Sequence, residues 1–93
     1  MIRCIKFRPY VKNTLKGFAS IELTKSGLIL HECTFHQRDD GKEWIGFPGR
    51  KYADKNNKEA WANLIEFTQS ADRHLFQTHA VEAIHAYLAE QKP

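Results

Sequence analysis

The sequence is poor in the residues that cross-link or interrupt small folds. Of 93 residues, two are cysteine, three are proline and five are glycine. Two cysteines are too few for a disulfide framework, so Cys4 and Cys33 are predicted to be reduced, buried thiols of a cytoplasmic protein. With 42% hydrophobic residues and no low-complexity stretch, the chain is expected to fold as a single domain.

Long apolar runs and catalytic signatures are also missing. No run approaches the roughly 18 apolar residues that span a bilayer, and residues 1–10 lack an apolar segment of signal-peptide length, so neither membrane insertion nor export is expected. The sequence contains no Gly-x-Ser-x-Gly motif and no glycine-rich phosphate loop. We therefore expect a protein without enzyme activity and without a cofactor.

Five histidines call for a test of metal binding. On a regular strand His31 and Cys33 point to one side and His36 to the other, so the three cannot close a tetrahedral site. Glu82 and His85 have the i, i+3 spacing of carboxylate-bridged metal bundles, but those sites need two such pairs and further carboxylates. No metal site is predicted.

Alternating polarity in the first two thirds of the chain predicts antiparallel strands, and Pro9 is expected to end the first of them. From Asp72 onward apolar residues recur every three or four positions, which is typical of an amphipathic helix, with Pro93 beyond its end. The sequence therefore predicts an α+β fold, a single antiparallel sheet of four to five strands followed by a C-terminal amphipathic helix. The strands are expected at about 2–8, 15–23, 28–36, 43–47 and 61–67, and the helix at about 72–90.

Positive charge is concentrated in the predicted sheet. Residues 1–58 hold twelve Lys and Arg against six Asp and Glu, whereas residues 59–93 hold two against five. One helix covers one sheet face, which leaves Phe18 and Trp44 partly exposed on the other unless a second subunit or a ligand covers them. A marginal core in so short a chain also favours association with a second copy.

Cations that follow a phosphate backbone and aromatic rings that stack on bases are the parts of a single-stranded nucleic-acid platform. The predicted phosphate contacts are Lys6, Arg8, Lys12, Lys16, Arg50 and Lys51. The predicted stacking residues are Phe18, Trp44 and Tyr52. Aromatic residues in strands also serve as core or dimer interface, and spacing alone does not separate these uses.

Six short segments carry a likeness to a known family. They are the strands Gly17–Leu23 and Gly27–Glu32, the Gly41 turn, the exit Phe47–Lys51, the segment Leu64–Phe67 and the helix Arg73–Leu88. In order and spacing they resemble the stage V sporulation protein G (SpoVG) family of small bacterial regulators. The resemblance implies a small antiparallel sheet with a C-terminal helix, a homodimer, and site-preferring binding to DNA or RNA that modulates gene expression.

The sequence departs from that family in the helix. There, basic residues around the C-terminal helix are associated with nucleic-acid binding, whereas here Arg73 is the only Lys or Arg between Lys58 and Lys92. We therefore expect the basic strands to bind the nucleic acid. A second function stays open: a non-catalytic protein-interaction or scaffold module whose open sheet face or helix docks a protein partner.

Overall fold

The computed structural model describes residues 1–91. In that part of the chain the elements are β1 (Ile2–Lys12), β2 (Leu15–Leu23), β3 (Leu28–Gln37), β4 (Glu43–Gly46), β5 (Gly49–Ala53), β6 (Glu59–Asn63) and α1 (Ser70–Gln91). Strands β1 to β4 form an antiparallel sheet in that order, while β5 pairs with β6 as a separate hairpin. The predicted α+β class is confirmed, and Pro93, expected after the helix, lies outside the described residues.

Two predicted strands differ from the structure. The first continues through Pro9 to Lys12, because β1 is an edge strand, where a residue without an N–H is tolerated. The strand expected at 61–67 is wrong in span and partner: β6 ends at Asn63, and it pairs with β5 instead of extending the main sheet. Strand β5 lies outside all the predicted strands; it follows Pro48, a residue typical of strand ends, and precedes a polar turn.

The core lies between one face of the four-stranded sheet and α1. Its buried side chains are Cys4, Ala19, Ile21, Leu30, Cys33, Phe35 and Ile45 from the sheet and Phe76, Ala80 and Ile84 from α1. The helical members recur every four residues and so form one stripe. The sheet residues that alternate with the core set form the opposite surface, here called the open face.

A bulge in β3 decides which side chains reach the open face. The β2–β3 register shifts between Ala19/Cys33 and Ile21/Leu30, and Glu32 has a φ of 58°. The extra residue interrupts the alternation, so Cys33 is buried while His31 lies on the open face, where its Nδ1 is 3.1 Å from the Ser20 hydroxyl. The prediction that His31 and Cys33 share a side is therefore wrong, because it assumed a regular strand.

One side chain of α1 forms hydrogen bonds with the free edge of β4. Gln77 of α1 donates its Nε2 to the Ile45 carbonyl and accepts the Ile45 N–H at Oε1, both at 2.7 Å. A free strand edge is a template for pairing with another chain. The amide occupies this edge at one residue and ties α1 to the strand that carries Trp44.

Within residues 1–91, α1 is the one helix, and its 22 residues are not apolar enough to cross a membrane.

Candidate nucleic-acid interface

An aromatic and cationic cluster occupies the open face between β1 and β2. The Arg8 guanidinium carbon lies 4.6 Å from the Phe18 ring centroid, and the Tyr10 ring centroid lies 5.8 Å from that of Phe18. Arg8 also pairs with Glu32 at 3.2 Å, but both side chains are more than half exposed. Because exposed ion pairs contribute little to stability, the Arg8 cation can exchange Glu32 for a phosphate at small cost.

A shallow depression of about 180 Å³ lies beside this cluster. Its lining includes Lys6 and Arg8 together with Phe18, Ser20 and His31. This volume is below the range of about 300–1,000 Å³ that is typical of small-molecule sites. The open face thus carries cationic and aromatic side chains around a depression that is smaller than a typical small-molecule site.

A second pair of rings lies across the sheet, at β3 and β4. His36 and Trp44 are stacked, with centroids 5.2 Å apart and planes 4° from parallel. The Nδ1 of His36 also lies 3.1 Å from the Thr14 hydroxyl, which fixes the imidazole. Burial lowers the pKa of His36 below its ordinary value, so the ring supporting Trp44 is neutral at neutral pH.

A basic cleft at the β4 edge was not predicted from the sequence. It has a volume of about 560 Å³ and lies between the β3–β4 turn and α1. Its cationic lining consists of Arg38, Lys42 and Arg73, and Trp44 also borders it. The cleft is therefore continuous, through Trp44, with the stacked rings of the open face. Residues from a turn and a distant helix meet only in the folded chain, so no local pattern could have revealed the cleft.

Two carboxylates lie in or beside the cleft, and one of them, Glu43, is part of its lining. Asp40 accepts from Arg38 at 2.7 Å and from the Lys42 backbone N–H at 3.0 Å, and these two hydrogen bonds lower the pKa of Asp40. The Glu43 carboxylate lies 2.9 Å from Nε2 of His85 on α1. Lys42 and Arg73 form no ion pair within residues 1–91, which leaves both cations available to a ligand.

Six of the nine predicted contact residues lie on the four-stranded sheet, and three lie on the separate β5–β6 hairpin. Lys6, Arg8, Phe18 and Trp44 share the open face. Lys12 is exposed at the end of β1, and Lys16 is half-buried at the start of β2. The other three, Arg50, Lys51 and Tyr52, lie on the separate β5–β6 hairpin.

On the hairpin, neighbouring predicted contacts point in opposite directions. Lys51 pairs with Trp61 and Tyr52 pairs with Ala60, so the Lys51 and Tyr52 side chains project from opposite sides of the ribbon. Lys51 Nζ lies 3.7 Å from a Glu59 carboxylate oxygen. A single strand of nucleic acid on one side of the hairpin could therefore not use all three predicted residues at once.

Neither cysteine is a reactive thiol, and the described residues contain no group suited to a metal ion. Cys4 and Cys33 are free and buried, as predicted. Burial, with smaller contributions from the charges of Cys4 and Glu32, raises the pKa of Cys33 to about 12, and burial raises the pKa of Cys4 as well. Such thiols do not ionise near neutral pH and are poor nucleophiles. Among residues 1–91 no three His, Cys, Asp or Glu side chains are grouped to hold a metal ion.

Comparison of the chain with protein-family models, with curated proteins and with solved structures finds no match in any of the three.

Proposed function

We propose that the protein is a nucleic-acid-binding regulator that holds a single strand of DNA or RNA across the open face. The observation that supports this most is the Arg8 cation over the Phe18 ring, with Lys6 lining the depression beside them, on the side of the sheet away from α1. In such platforms each base stacked on an aromatic ring contributes about 1–3 kcal/mol, whatever the base. The protein is proposed to act by binding alone, without catalysing a reaction.

The path of the strand follows from the positions of the cations. Phosphates near β1 would contact Lys6 and would replace Glu32 as the partner of Arg8. A base would stack on Phe18 by displacing the Arg8 guanidinium from its ring, and a base further along the strand would stack on Trp44. From Trp44 the nucleic-acid backbone would enter the basic cleft, where Lys42 and Arg73 would bind phosphate oxygens. Long-range attraction by these cations would also speed association at low salt.

The remaining predicted contacts lie at the margins of the proposed binding surface. Lys12 and Lys16 flank the β1–β2 turn, and they would extend the basic surface beyond the aromatic cluster. Arg50 and Tyr52 project from one side of the hairpin and would contact a longer strand. The buried, free thiols suit the reducing cytoplasm, which is the compartment we propose.

A charge-removal experiment tests the proposal. Lys6→Ala combined with Arg8→Ala removes two cations of the open face, while Lys55→Ala combined with Lys58→Ala removes two exposed cations from the β5–β6 turn. Binding of a fluorescent single-stranded oligonucleotide is followed by anisotropy at several salt concentrations. For the open-face variant, the slope of log K against log salt should lose about 1.4 in magnitude, since each contact with single strands contributes about 0.7.

The turn variant should keep the wild-type slope. Equal losses in both variants would show that only the total charge matters. An absence of binding by the wild type at low salt would refute the proposal altogether.

A further inference from the structure

The basic cleft between the β3–β4 turn and α1 is larger than the depression on the open face. Its volume of about 560 Å³ falls within the range of about 300–1,000 Å³ that is typical of small-molecule sites, whereas the depression beside Phe18 falls below it. The cleft therefore has room for a single small ligand.

The charges of the cleft indicate the anion that it suits. Lys42 of the turn and Arg73 of α1 form no ion pair within residues 1–91. The third cation, Arg38, pairs with Asp40, and the Glu43 carboxylate contacts a histidine of α1. A terminal phosphate carries a charge of about −1.5 to −2 at pH 7, whereas each phosphodiester inside a strand carries one negative charge. Two unpaired cations in one cleft therefore favour a terminal phosphate over an internal one.

Hydrogen bonds hold both walls of the cleft in place. The Arg38 backbone N–H donates to the Lys42 carbonyl oxygen at 2.8 Å, which closes the β3–β4 turn. On the other wall, Gln77 binds the Ile45 backbone with two hydrogen bonds of 2.7 Å. Arg73 lies four residues before Gln77 and hence on the same side of α1, so these bonds also position Arg73. Walls that are already fixed reduce the ordering that a ligand has to impose.

Trp44 adds an aromatic wall to the same cleft. One face of its ring stacks on His36 of β3. Because β4 is the last strand of its sheet, the other face of the ring is directed away from β3, toward the side on which Trp44 borders the cleft. Aromatic faces stack on nucleic-acid bases of any kind. The cleft thus combines a surface for a base with cations for a phosphate.

We propose that the basic cleft is a binding site for a single nucleotide, whose base stacks on the free face of Trp44 and whose terminal phosphate binds Lys42 and Arg73. Two sources supply this chemistry, a free nucleotide and the phosphorylated end of a strand. For the second source the inference rests on the proposed function, because the strand is proposed to enter the same cleft. A free nucleotide binds independently of it.

Isothermal titration with adenosine 5′-monophosphate as the probe tests the site. Adenosine lacks the phosphate and ribose 5-phosphate lacks the base, so each loses one of the two contacts. Both should bind at least about tenfold more weakly than the probe. An absence of binding at about 1 mM probe would overturn the inference. Equal affinities for the probe and ribose 5-phosphate would overturn it as well, because they would show attraction to phosphate alone.

Substitutions locate the bound probe. Lys42→Ala combined with Arg73→Ala should weaken binding at least about tenfold. The matched control, Lys55→Ala combined with Lys58→Ala, removes the same charge from the β5–β6 turn and should leave binding unchanged. Trp44→Ala should weaken binding of the probe about fivefold or more and leave binding of ribose 5-phosphate unchanged. Circular dichroism verifies that each variant is folded. Equal losses in the two double variants would overturn the inference.

Two oligonucleotides, one with a 5′-terminal phosphate and one without, distinguish the sources of the nucleotide. Tighter binding of the phosphorylated form, lost on substitution of Lys42 and Arg73, supports a strand end. Equal binding of both forms, together with binding of the probe, supports a free nucleotide. Oligonucleotide binding without any binding of the probe would overturn this inference and leave the proposed function standing. Binding of the probe without binding of either oligonucleotide would refute only the proposed function.

Discussion

Gln77→Met should destabilise the fold although it leaves the core filled. Methionine has a similar length and helix propensity, but it removes both hydrogen bonds to Ile45. Each bond contributes about 0.5–1.5 kcal/mol net, so the two together contribute about 1–3 kcal/mol. Ile45 is only 4% exposed, and water would therefore replace the lost partners poorly. We expect a loss in the upper half of that range, from a total stability of roughly 5–15 kcal/mol.

Urea unfolding followed by circular dichroism measures this loss as a lower midpoint at unchanged m value. Gln91→Met, at an exposed position of the same helix, is the control and should change little. Gln77→Glu keeps an acceptor for the Ile45 N–H but sets a carboxylate oxygen against the Ile45 carbonyl. Its deficit relative to the wild type should shrink at pH 4, where the introduced carboxyl can donate a proton. A Gln77→Met stability within ~0.3 kcal/mol of the control would refute the role of Gln77 at this edge.

Three further perturbations are expected to have measurable effects. Gly17→Ala should lower the melting temperature by the equivalent of about 1–3 kcal/mol, because its Cβ would lie 2.8 Å from the Arg8 carbonyl oxygen and against the Phe7 ring. Stability should fall as pH drops below about 6.5, since the lowered pKa of His36 lets the unfolded chain bind a proton that the native state does not. The urea midpoint of His36→Gln should change less with pH below about 6.5 than the midpoint of the wild type. An equal pH dependence in the two proteins would contradict this explanation. Trp44→Ala should weaken oligonucleotide binding by about 1–3 kcal/mol in anisotropy titrations, and an unchanged affinity would remove Trp44 from the interface.

The main sheet and the helix could be predicted from periodicity because each has a continuous buried side. β2 alternates between core residues such as Ala19 and open-face residues such as Phe18, and α1 repeats its apolar residues every four positions. The β5–β6 hairpin has no such pattern. Its residues are mostly exposed on both sides, as Tyr52 and Trp61 show, so local polarity does not reveal the pairing.

The part of the candidate site that could be predicted is the part set by side chains alternating between the two faces of a strand. Arg8, Phe18 and Trp44 reach one face because strands have a period of two. The bulge at Glu32 has no sequence signal, since a residue other than glycine adopts the positive φ there, and it moved His31 to the open face. The basic cleft forms because Arg73 of α1 lies near the β3–β4 turn. Local sequence patterns do not encode such a tertiary contact.

Salt dependence of binding by the wild-type protein tests the central claim most directly. Affinities for single-stranded DNA, RNA and duplex DNA are measured across a range of salt concentrations. Contacts by Lys6, Arg8, Lys42 and Arg73 predict that log K for a single strand falls linearly with log salt, with a slope of about −3. Tighter binding of single strands than of duplex is expected as well, because stacking needs unpaired bases. A flat salt response, or no binding at low salt, would contradict the proposed nucleic-acid surface.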